Sequence, residues 1–360
     1  MGDAVAEQIA ALKDEDWAVR EDAATALGVL RDARAVEPLV SLLKDSDRAV
    51  REAAIGALTA LGEPSVMALG ACLTDPELSV QESASAVLAV IADARVLTPL
   101  LMALKSSDWI VRMHAVKALG RIKDAGAVEP LIPLLQDKVK AVREETSAAL
   151  AAIGDAAVPF LLKALTHSEW LVRLHAVEAL GKTRSSSAVE PLLSALFNDR
   201  DTAIREDAVR ALGQIGDVKA VDFLFVAMKE PGLRPLAVES LGQIGDRRAV
   251  PVLINVLNGV DRPEVSREVN GCGDRWDEEM VTMGAAVRAL GAIGDVTAVP
   301  VLLNAMRHTM TRADAAASLV RFGNAVIAPL LKMLTQESDD NIRYHVKDTL
   351  TKVGWRPGRV

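Results

Sequence analysis

The chain has 360 residues, of which 50% are hydrophobic and only 3% aromatic, so its core must be built from Ala, Val and Leu. Its formal net charge is -8, from 41 basic and 49 acidic residues, which argues against a protein that binds nucleic-acid phosphates. Cys72 and Cys272 are too few for a secreted disulfide framework. No apolar run reaches the roughly 18 residues of a membrane span. We therefore expect a cytoplasmic protein with neither a nucleic-acid nor a membrane partner, of unknown oligomeric state.

One pattern recurs eleven times along the chain: an apolar residue followed by Arg, then small residues, then Leu seven positions after the Arg. We number each copy from this Arg, or from the residue that replaces it, as position 0. The residues at position 0 are Arg20, Arg51, Gln81, Arg112, Arg143, Arg173, Arg205, Arg234, Met283, Arg312 and Arg343. Their spacing is 29 to 32 residues except for one interval of 49. The sequence therefore predicts a repeat array with one insertion.

Each copy contains two helical segments joined by a short polar turn. Helix A often begins at A-V-E-P-L, as at residues 35–39 and 127–131, because proline is tolerated in the first turn of a helix. Helix B follows an acidic residue that can cap its free amide groups, and this residue is Asp16, Asp47, Asp108 or Asp201 in four of the copies. No segment alternates like a strand. We predict an all-α fold, a solenoid of eleven antiparallel helix pairs in a single domain over residues 1–360.

The long interval places an insertion at about residues 258–279, between helix A and helix B of the ninth copy. It carries seven acidic and three basic residues together with Cys272 and Trp276. A segment of this length in a compact array is either functional or disordered, and the sequence does not choose between the two. Cys272 is expected to be an exposed thiol in an irregular segment, since no activating residue accompanies it. Residues 355–360 are expected to form a C-terminal tail.

Copies of about 31 residues, with D-x-x-V-R at the start of helix B and A-L-G near its end, resemble HEAT-like repeats of the phycobilisome-lyase type. The resemblance implies a right-handed α-α superhelix whose B helices line a concave surface. It also implies an Asp-Arg ladder between neighbouring copies, matched here by Asp16/Arg20, Asp47/Arg51, Asp108/Arg112, Glu169/Arg173 and Asp201/Arg205. Gln81, Met283 and residues 140–142 depart from that pattern, so we expect breaks in the ladder near copies 3, 5 and 9.

Positions +1, +2, +5 and +9 of helix B are expected to face away from the core. Position +2 holds His114 and His175 in copies 4 and 6, about 20 Å apart if each helix pair advances by one helix diameter, so the two cannot share a metal ion. No histidine is followed by Glu, which excludes the His-Glu pairs of deoxyhypusine hydroxylase. We predict no catalytic residues, no cofactor and no metal site.

Three of the five tryptophans, Trp17, Trp109 and Trp170, share position -3. In copies 4 and 6 the usual Glu at +1 is replaced by Met113 and Leu174, so each of these copies places an apolar i, i+4 pair on an otherwise acidic row. The pairs either pack over the end of helix A or anchor a partner. The predicted partner-binding residues are Trp109, Met113, His114, Lys117, Glu145, Trp170, Leu174, His175 and Glu178.

A curved array of helix pairs offers an extended surface rather than a deep pocket. We therefore predict a noncatalytic scaffold or adaptor that receives another protein or a peptide on its concave face. The alternative, implied by the resemblance, is a lyase-like protein that assists the attachment or maturation of a bilin or redox cofactor on a partner.

Overall fold

The computed structural model describes residues 3–259 and 272–356. Within these ranges the chain forms 22 α-helices and no strand, and the helices make eleven A–B pairs. The predicted all-α solenoid of helix pairs is therefore confirmed. The chain falls into two compact units, Met1–Ala179 and Leu180–Val360. That the whole chain is one domain stays a prediction.

The A helices are short, and most follow a single 3₁₀ turn. An Asp often caps that turn, as Asp32 does by accepting a hydrogen bond from Arg34 N at 2.9 Å. The α-helical parts are α1 (Ala4–Ala11), α3 (Val36–Ser41), α5 (Val66–Cys72), α7 (Leu97–Ala103), α9 (Val128–Leu131), α11 (Val158–Ala164), α13 (Val189–Asn198), α15 (Val221–Ala227), α17 (Ala249–Leu257), α19 (Val299–Ala305) and α21 (Ile327–Gln336).

Most B helices are longer than their A partners. They are α2 (Trp17–Leu30), α4 (Arg48–Leu61), α6 (Leu78–Ile91), α8 (Trp109–Ile122), α10 (Lys140–Ile153), α12 (Trp170–Thr183), α14 (Thr202–Ile215), α16 (Arg234–Ile244), α18 (Cys272–Ile293), α20 (Arg312–Val320) and α22 (Asp340–Lys352). Asp16, Asp47 and Asp108 cap three of them, each accepting the amide hydrogen of the second helical residue at 2.7 to 2.9 Å. Asp201 precedes α14 without a side-chain capping bond, so its predicted capping role is wrong.

The core of each copy contains the leucine at position +7. These side chains are fully buried, as predicted: Leu27, Leu58, Leu119, Leu150, Leu180, Leu212, Leu241 and Leu290. The other buried side chains are mostly small and aliphatic and come from both helices of a pair, which is how a chain so poor in aromatic residues builds its core.

Neighbouring B helices pack closely because a glycine at position +8 of one faces a small residue at +6 of the next. A Cβ atom built on Gly120 of α8 would lie only 2.8 Å from Ala149 Cα of α10. The same pairing recurs at Gly28/Ala57, Gly181/Ala211, Gly213/Ser240, Gly242/Ala289 and Gly291/Ser318. Because equivalent positions meet each time, the paired helices lie in register. The glycine of the A-L-G motif is therefore a packing residue.

Arginine at position 0 fixes its own A–B turn and also reaches the next copy. Arg112 Nη1 donates to Ser106 O and Ser107 O, at 2.9 and 3.0 Å. Its Nε and Nη2 donate to the carboxylate of Asp137, just before helix B of the next copy, at 2.8 and 2.9 Å. Arg20 forms the same bidentate pair with Asp45. A ladder between these neighbouring copies is therefore present.

The acids of this ladder are not the expected ones. The acidic residue four positions before Arg20 or Arg112 caps its own helix instead of pairing with the Arg. The true partner lies 25 residues after the Arg, and Arg205 follows the same rule with Glu230. The reason is geometric, since the Arg side chain extends toward the following copy. At the expected break in copy 3, Gln81 keeps the bond to the turn, donating to Asp75 O at 2.7 Å.

The insertion differs from its expected structure at its C-terminal end. Helix α18 begins at Cys272, so residues 272–279 are helical and the prediction that Cys272 lies in an irregular segment is wrong. Residues 260–271 lie outside the described residues. The helix is continuous because nothing between Gly273 and the helix B frame breaks it: the segment contains no proline.

In the described part of the chain, no single helix combines the length and apolar composition needed to cross a membrane. One pair of consecutive helical segments, Arg48–Leu61 and Glu63–Cys72, is together long and apolar enough to span a membrane. The two segments are bent by 113° relative to each other.

Candidate functional site

The tryptophans at position -3 are the first residues of their B helices, and nearly half of each side chain is open to solvent. Trp17, Trp109 and Trp170 are 48%, 40% and 46% exposed. A ring that only covered the end of helix A would be expected to lose most of its contact with water. The exposure of all three in the first unit favours a surface that contacts something else.

Positions -3 and +1 stand one turn apart on each B helix, and copies 2, 4, 5 and 6 hold either an ion pair or an apolar pair there, whereas copies 1 and 3 hold an apolar residue followed by Glu. In α4 and α10 the two residues form ion pairs: Arg48 Nε lies 2.7 Å from Glu52 Oε1, and Lys140 Nζ lies 3.3 Å from Glu144 Oε1. In α8 and α12 the same positions hold an apolar pair, in which an exposed Trp precedes a half-buried Met113 or Leu174. Copies 4, 5 and 6 therefore present an apolar pair, an ion pair and a second apolar pair in succession.

His114 is half-buried and faces the preceding copy. Its Nδ1 lies 3.1 Å from Ser85 Oγ of α6. The Ser85 hydroxyl donates to Glu82 O at 2.8 Å, which leaves its lone pairs for an Nδ1–H of the imidazole. Burial, helped by the nearby charge of Lys117, lowers the pKa of His114, so the neutral ring is favoured.

His175 is only 6% exposed, so the expectation that position +2 faces away from the core is wrong here. Its Nε2 accepts a hydrogen bond from Arg143 Nε of α10 at 3.3 Å, and its Nδ1 lies 3.0 Å from Glu178 Oε2. Position +2 is one turn before +6, the position that meets the preceding B helix. Close packing of the B helices therefore closes over His175.

Ser147, His175 and Glu178 include the residue types of a hydrolase triad without its geometry. Ser147 is fully buried, and its hydroxyl has no hydrogen-bond partner within the described part of the chain. The Nε2 atom that a catalytic base would use accepts a bond from Arg143 instead. The serine and the histidine are both closed to solvent, so neither has access to a substrate, and it is the Arg143–His175 bond that joins copies 5 and 6.

The remaining predicted residues lie at different depths. Lys117 is exposed, one turn after Met113, while Glu145 is half-buried on α10. Glu178 is half-buried and bound to His175, so it is not a free contact residue. The structure thus places each Trp one turn before the apolar residue at position +1 of the same helix. It assigns His175 to the packing between copies 5 and 6, with Glu178 bound to it on the same helix.

Reactive side chains elsewhere in the described ranges, 3–259 and 272–356, form no further candidate site. Cys272 and Trp276 belong to the first turns of α18, and their side chains lie outside the described residues. In the part of the chain that the structure describes, no three or more His, Cys, Asp and Glu side chains are grouped so that they could hold a metal ion. Cys72 is buried, and that burial raises the pKa of its thiol.

The sequence prediction did not include an exposed aromatic group on the A helices. Phe160 is 40% exposed, and in the second unit Phe197 and Phe223 are 36% and 41% exposed, with ring centroids 6.4 Å apart. Phe160 and Phe223 occupy the position that Pro38 holds in A-V-E-P-L. The replacement of proline by phenylalanine at this position of the repeat was the signal that could have identified Phe160 and Phe223.

Charge also differs between the two units. Residues 1–179 contain 26 acidic and 18 basic residues, against 23 of each in residues 180–360. The first unit therefore carries the whole formal net charge of -8. On its B helices the acids occupy position +1 in four of six copies, as Glu21, Glu52, Glu82 and Glu144.

Comparison with known proteins agrees with this architecture. The family model of HEAT repeats matches residues 5–89, 66–151, 97–167, 128–196, 158–234, 189–270 and 277–351. No curated protein sequence matches the chain.

Among solved structures, similar ones include Kap121p bound to the extreme C-terminus of the protein phosphatase Cdc14p, at TM-score 0.64 and 13% identity over 97% of this chain and 45% of that chain. Kap95p bound to RanGDP has TM-score 0.64 and 12% identity over 96% and 57%. Importin beta has TM-score 0.59 and 14% identity over 98% and 60%. The chain therefore spans about half the length of these proteins, and at this identity the likeness shows the fold alone.

Proposed function

The chain belongs to the HEAT-repeat family, and we propose that it is a noncatalytic scaffold that binds a partner protein along the exposed surface of its B helices. In a solenoid each copy contacts only its neighbours, which leaves one face of every helix available over a long surface. The concave face predicted from the sequence is the face that this proposal assigns to the partner.

The observation that carries the proposal is the succession of pairs in copies 4 to 6. Trp109/Met113 and Trp170/Leu174 are apolar pairs at positions where α4 and α10 hold solvated ion pairs. Large aromatic side chains that become desolvated on binding contribute most of the energy of a typical interface. Two such anchors, separated by one copy, suit a partner held at two points.

Two of the structural neighbours are proteins of this fold in complex with other proteins. Kap121p is bound to the extreme C-terminus of Cdc14p, and Kap95p is bound to RanGDP. These neighbours support a protein or protein segment as the ligand class. The finer assignment to the phycobilisome-lyase type, and with it a role in cofactor attachment, rests only on the repeat pattern, so the scaffold is the function we propose.

The test compares two exposed aromatic residues of the same copy. Partners are captured from extract of the native cell with the parent chain, and the captured protein is then purified and its Kd measured by calorimetry. Trp170→Ala is expected to weaken binding by about 2 kcal/mol or more. Phe160→Ala, on helix α11 of the same copy, removes a similarly exposed aromatic ring and is expected to leave the affinity unchanged.

The melting temperature of each variant is measured alongside its affinity, because Trp170 also contacts its own copy. A Trp170→Ala variant that melts earlier but binds the purified partner as tightly as the parent would show that the residue is structural. That result would remove the anchor, and with it the proposal.

A further inference from the structure

The row at position +1 is half-buried or exposed and runs continuously through the first unit. From copy 1 to copy 6 it reads Glu21, Glu52, Glu82, Met113, Glu144, Leu174. The B helices that carry it are neighbours: Gly28 meets Ala57, Arg121 Nη1 donates to Ala89 O at 2.6 Å, and Arg143 bonds His175. Helix α4 also packs against α6, and α8 against α10. The row is therefore acidic at four places and apolar at two.

The acids of this row are largely free to meet a cation. Glu52 and Glu144 form ion pairs only with exposed residues of their own helices, and such pairs are weak. Glu21 and Glu82 form no ion pair in the described part of the chain. Because the same unit carries the entire net negative charge, a cationic segment would be attracted to this row before it makes contact.

Space beside the acids is open. Position +5, one turn after each acid, holds no side chain larger than that of threonine in the four acidic copies, where it is Thr25, Gly56, Ala86 and Ala148. A Cβ built on Gly56 would meet no atom within 4 Å. A partner's main chain can therefore approach the helices next to the carboxylates.

The repeat spacing selects a conformation for that main chain. Packed helices lie about 8 to 10 Å apart. One face of an α-helix repeats every 5.4 Å or so, and one face of a strand about every 6.7 Å. A polyproline II helix returns to the same face every third residue, after about 9.3 Å, which matches one residue per copy.

We propose that the partner segment is an extended, polyproline-II-like stretch that presents one side chain to each copy, cationic opposite the four acids and apolar opposite Met113 and Leu174. This inference rests on the proposed function, because its two apolar contacts are the Trp-flanked anchors of that site. It adds the chemical class of the segment and its period of three residues.

The probe is a fluorescein-labelled synthetic peptide in which every third residue is, in turn, lysine, lysine, lysine, leucine, lysine and leucine, with proline and serine between them. The reverse order is a second probe, since the direction of the segment is open. A third peptide has the same composition with lysine and leucine at every second residue. Fluorescence anisotropy with the full chain is expected to show that one probe of period three binds at least about fivefold tighter than the third peptide, and that its affinity falls as salt is added.

Two matched pairs of substitutions test whether the peptide binds at the acidic residues of this row. The double variant Glu21→Gln with Glu82→Gln is expected to weaken the preferred peptide about fivefold or more, since it removes two charge contacts. The control, Glu37→Gln with Glu129→Gln, removes two exposed charges of the same sign from the A helices α3 and α9 and is expected to change affinity less than twofold. Equal binding of all peptides, or equal losses in the two double variants, would overturn the inference.

The two proposals fail in different ways. If the spacing of the peptide has no effect while Trp170→Ala still weakens the purified partner, the extended cationic segment is wrong and the scaffold stands. If Trp170→Ala and the double variant Glu21→Gln with Glu82→Gln both leave partner and peptide affinities unchanged, the B-helix surface is not the binding site and both proposals are lost.

Discussion

Arg112 of α8 holds Asp137 of the next copy in a bidentate ion pair, with Nε–Oδ2 at 2.8 Å and Nη2–Oδ1 at 2.9 Å. The side chains are only 13% and 9% exposed. Burial acts to raise the pKa of Asp137, but the guanidinium of Arg112 and the amide of Val139 hold that pKa below its usual value. One arginine thus closes the turn of its own copy and ties that copy to the next.

Replacing this arginine should therefore weaken two connections at once. Arg112→Ala is expected to lower the free energy of unfolding of the first unit by about 3 kcal/mol, because it leaves Asp137 poorly hydrated and without its partner. Arg48→Ala breaks an exposed i, i+4 pair and is expected to cost less than about 0.5 kcal/mol. Denaturant unfolding followed by circular dichroism gives both values, and equal losses would contradict the assignment.

The repeat predicted the helix pairs because the same hydrophobic pattern occurs eleven times, so an irregular copy can be aligned with the regular ones. The repeat did not predict the correct acidic partners of the arginine ladder, because two acidic residues recur with the same period. Asp108 and Asp137 stand four residues before and 25 residues after Arg112, and sequence alone does not show toward which copy the Arg extends. Only the packing direction of the B helices separates the cap from the ion-pair partner.

The glycine contacts predict that the same substitution, Gly to Ala, has opposite effects on stability at two positions. A Cβ at Gly120 would lie 2.8 Å from Ala149 Cα, an atom of the neighbouring backbone that cannot move aside alone. Gly120→Ala is therefore expected to destabilise the first unit by about 1 to 3 kcal/mol through overpacking.

Gly56→Ala serves as the matched control in the same type of helix. No atom lies within 4 Å of its added Cβ, so the higher helix propensity of alanine should stabilise α4 by up to about 1 kcal/mol. Melting temperatures that shift in the same direction for both variants would disprove close contact between the B helices.

The core leucine at position +7 gives a third prediction. Leu180 is fully buried, so Leu180→Ala is expected to cost about 2 to 5 kcal/mol through lost burial and a residual cavity. Leu30, which is 44% exposed at the end of α2, is the control, and Leu30→Ala is expected to cost less than about 1 kcal/mol. Chemical unfolding monitored by circular dichroism measures the difference, and a stable Leu180→Ala variant would show that the frame is misplaced.

Part of the candidate site followed from helical periodicity and part did not. A 3.6-residue period places Trp109 and Met113 on the same face of α8. This placement follows from the helix alone and does not depend on how the neighbouring helices pack. The depth of His175 does depend on that packing, because Arg143 of the neighbouring helix α10 lies only 3.3 Å from the imidazole. Periodicity gives the direction of a side chain, whereas the distance to the next helix decides whether water reaches it.

His114 provides the last prediction, on pH. Its pKa is lowered in the folded protein by burial and by Lys117, so the unfolded chain binds a proton more readily than the folded one. The stability that depends on a neutral His114 is therefore complete above the unfolded pKa, about 6.5, and is lost as the pH falls through the folded value.

Between about pH 7.5 and about pH 5 the parent should lose more unfolding free energy than His114→Gln, which keeps a polar group near Ser85 but does not titrate. Denaturant titrations of both proteins at the two pH values decide the question, since an identical loss in the parent and in His114→Gln would mean that this half-buried ring does not control the acid sensitivity of the first unit.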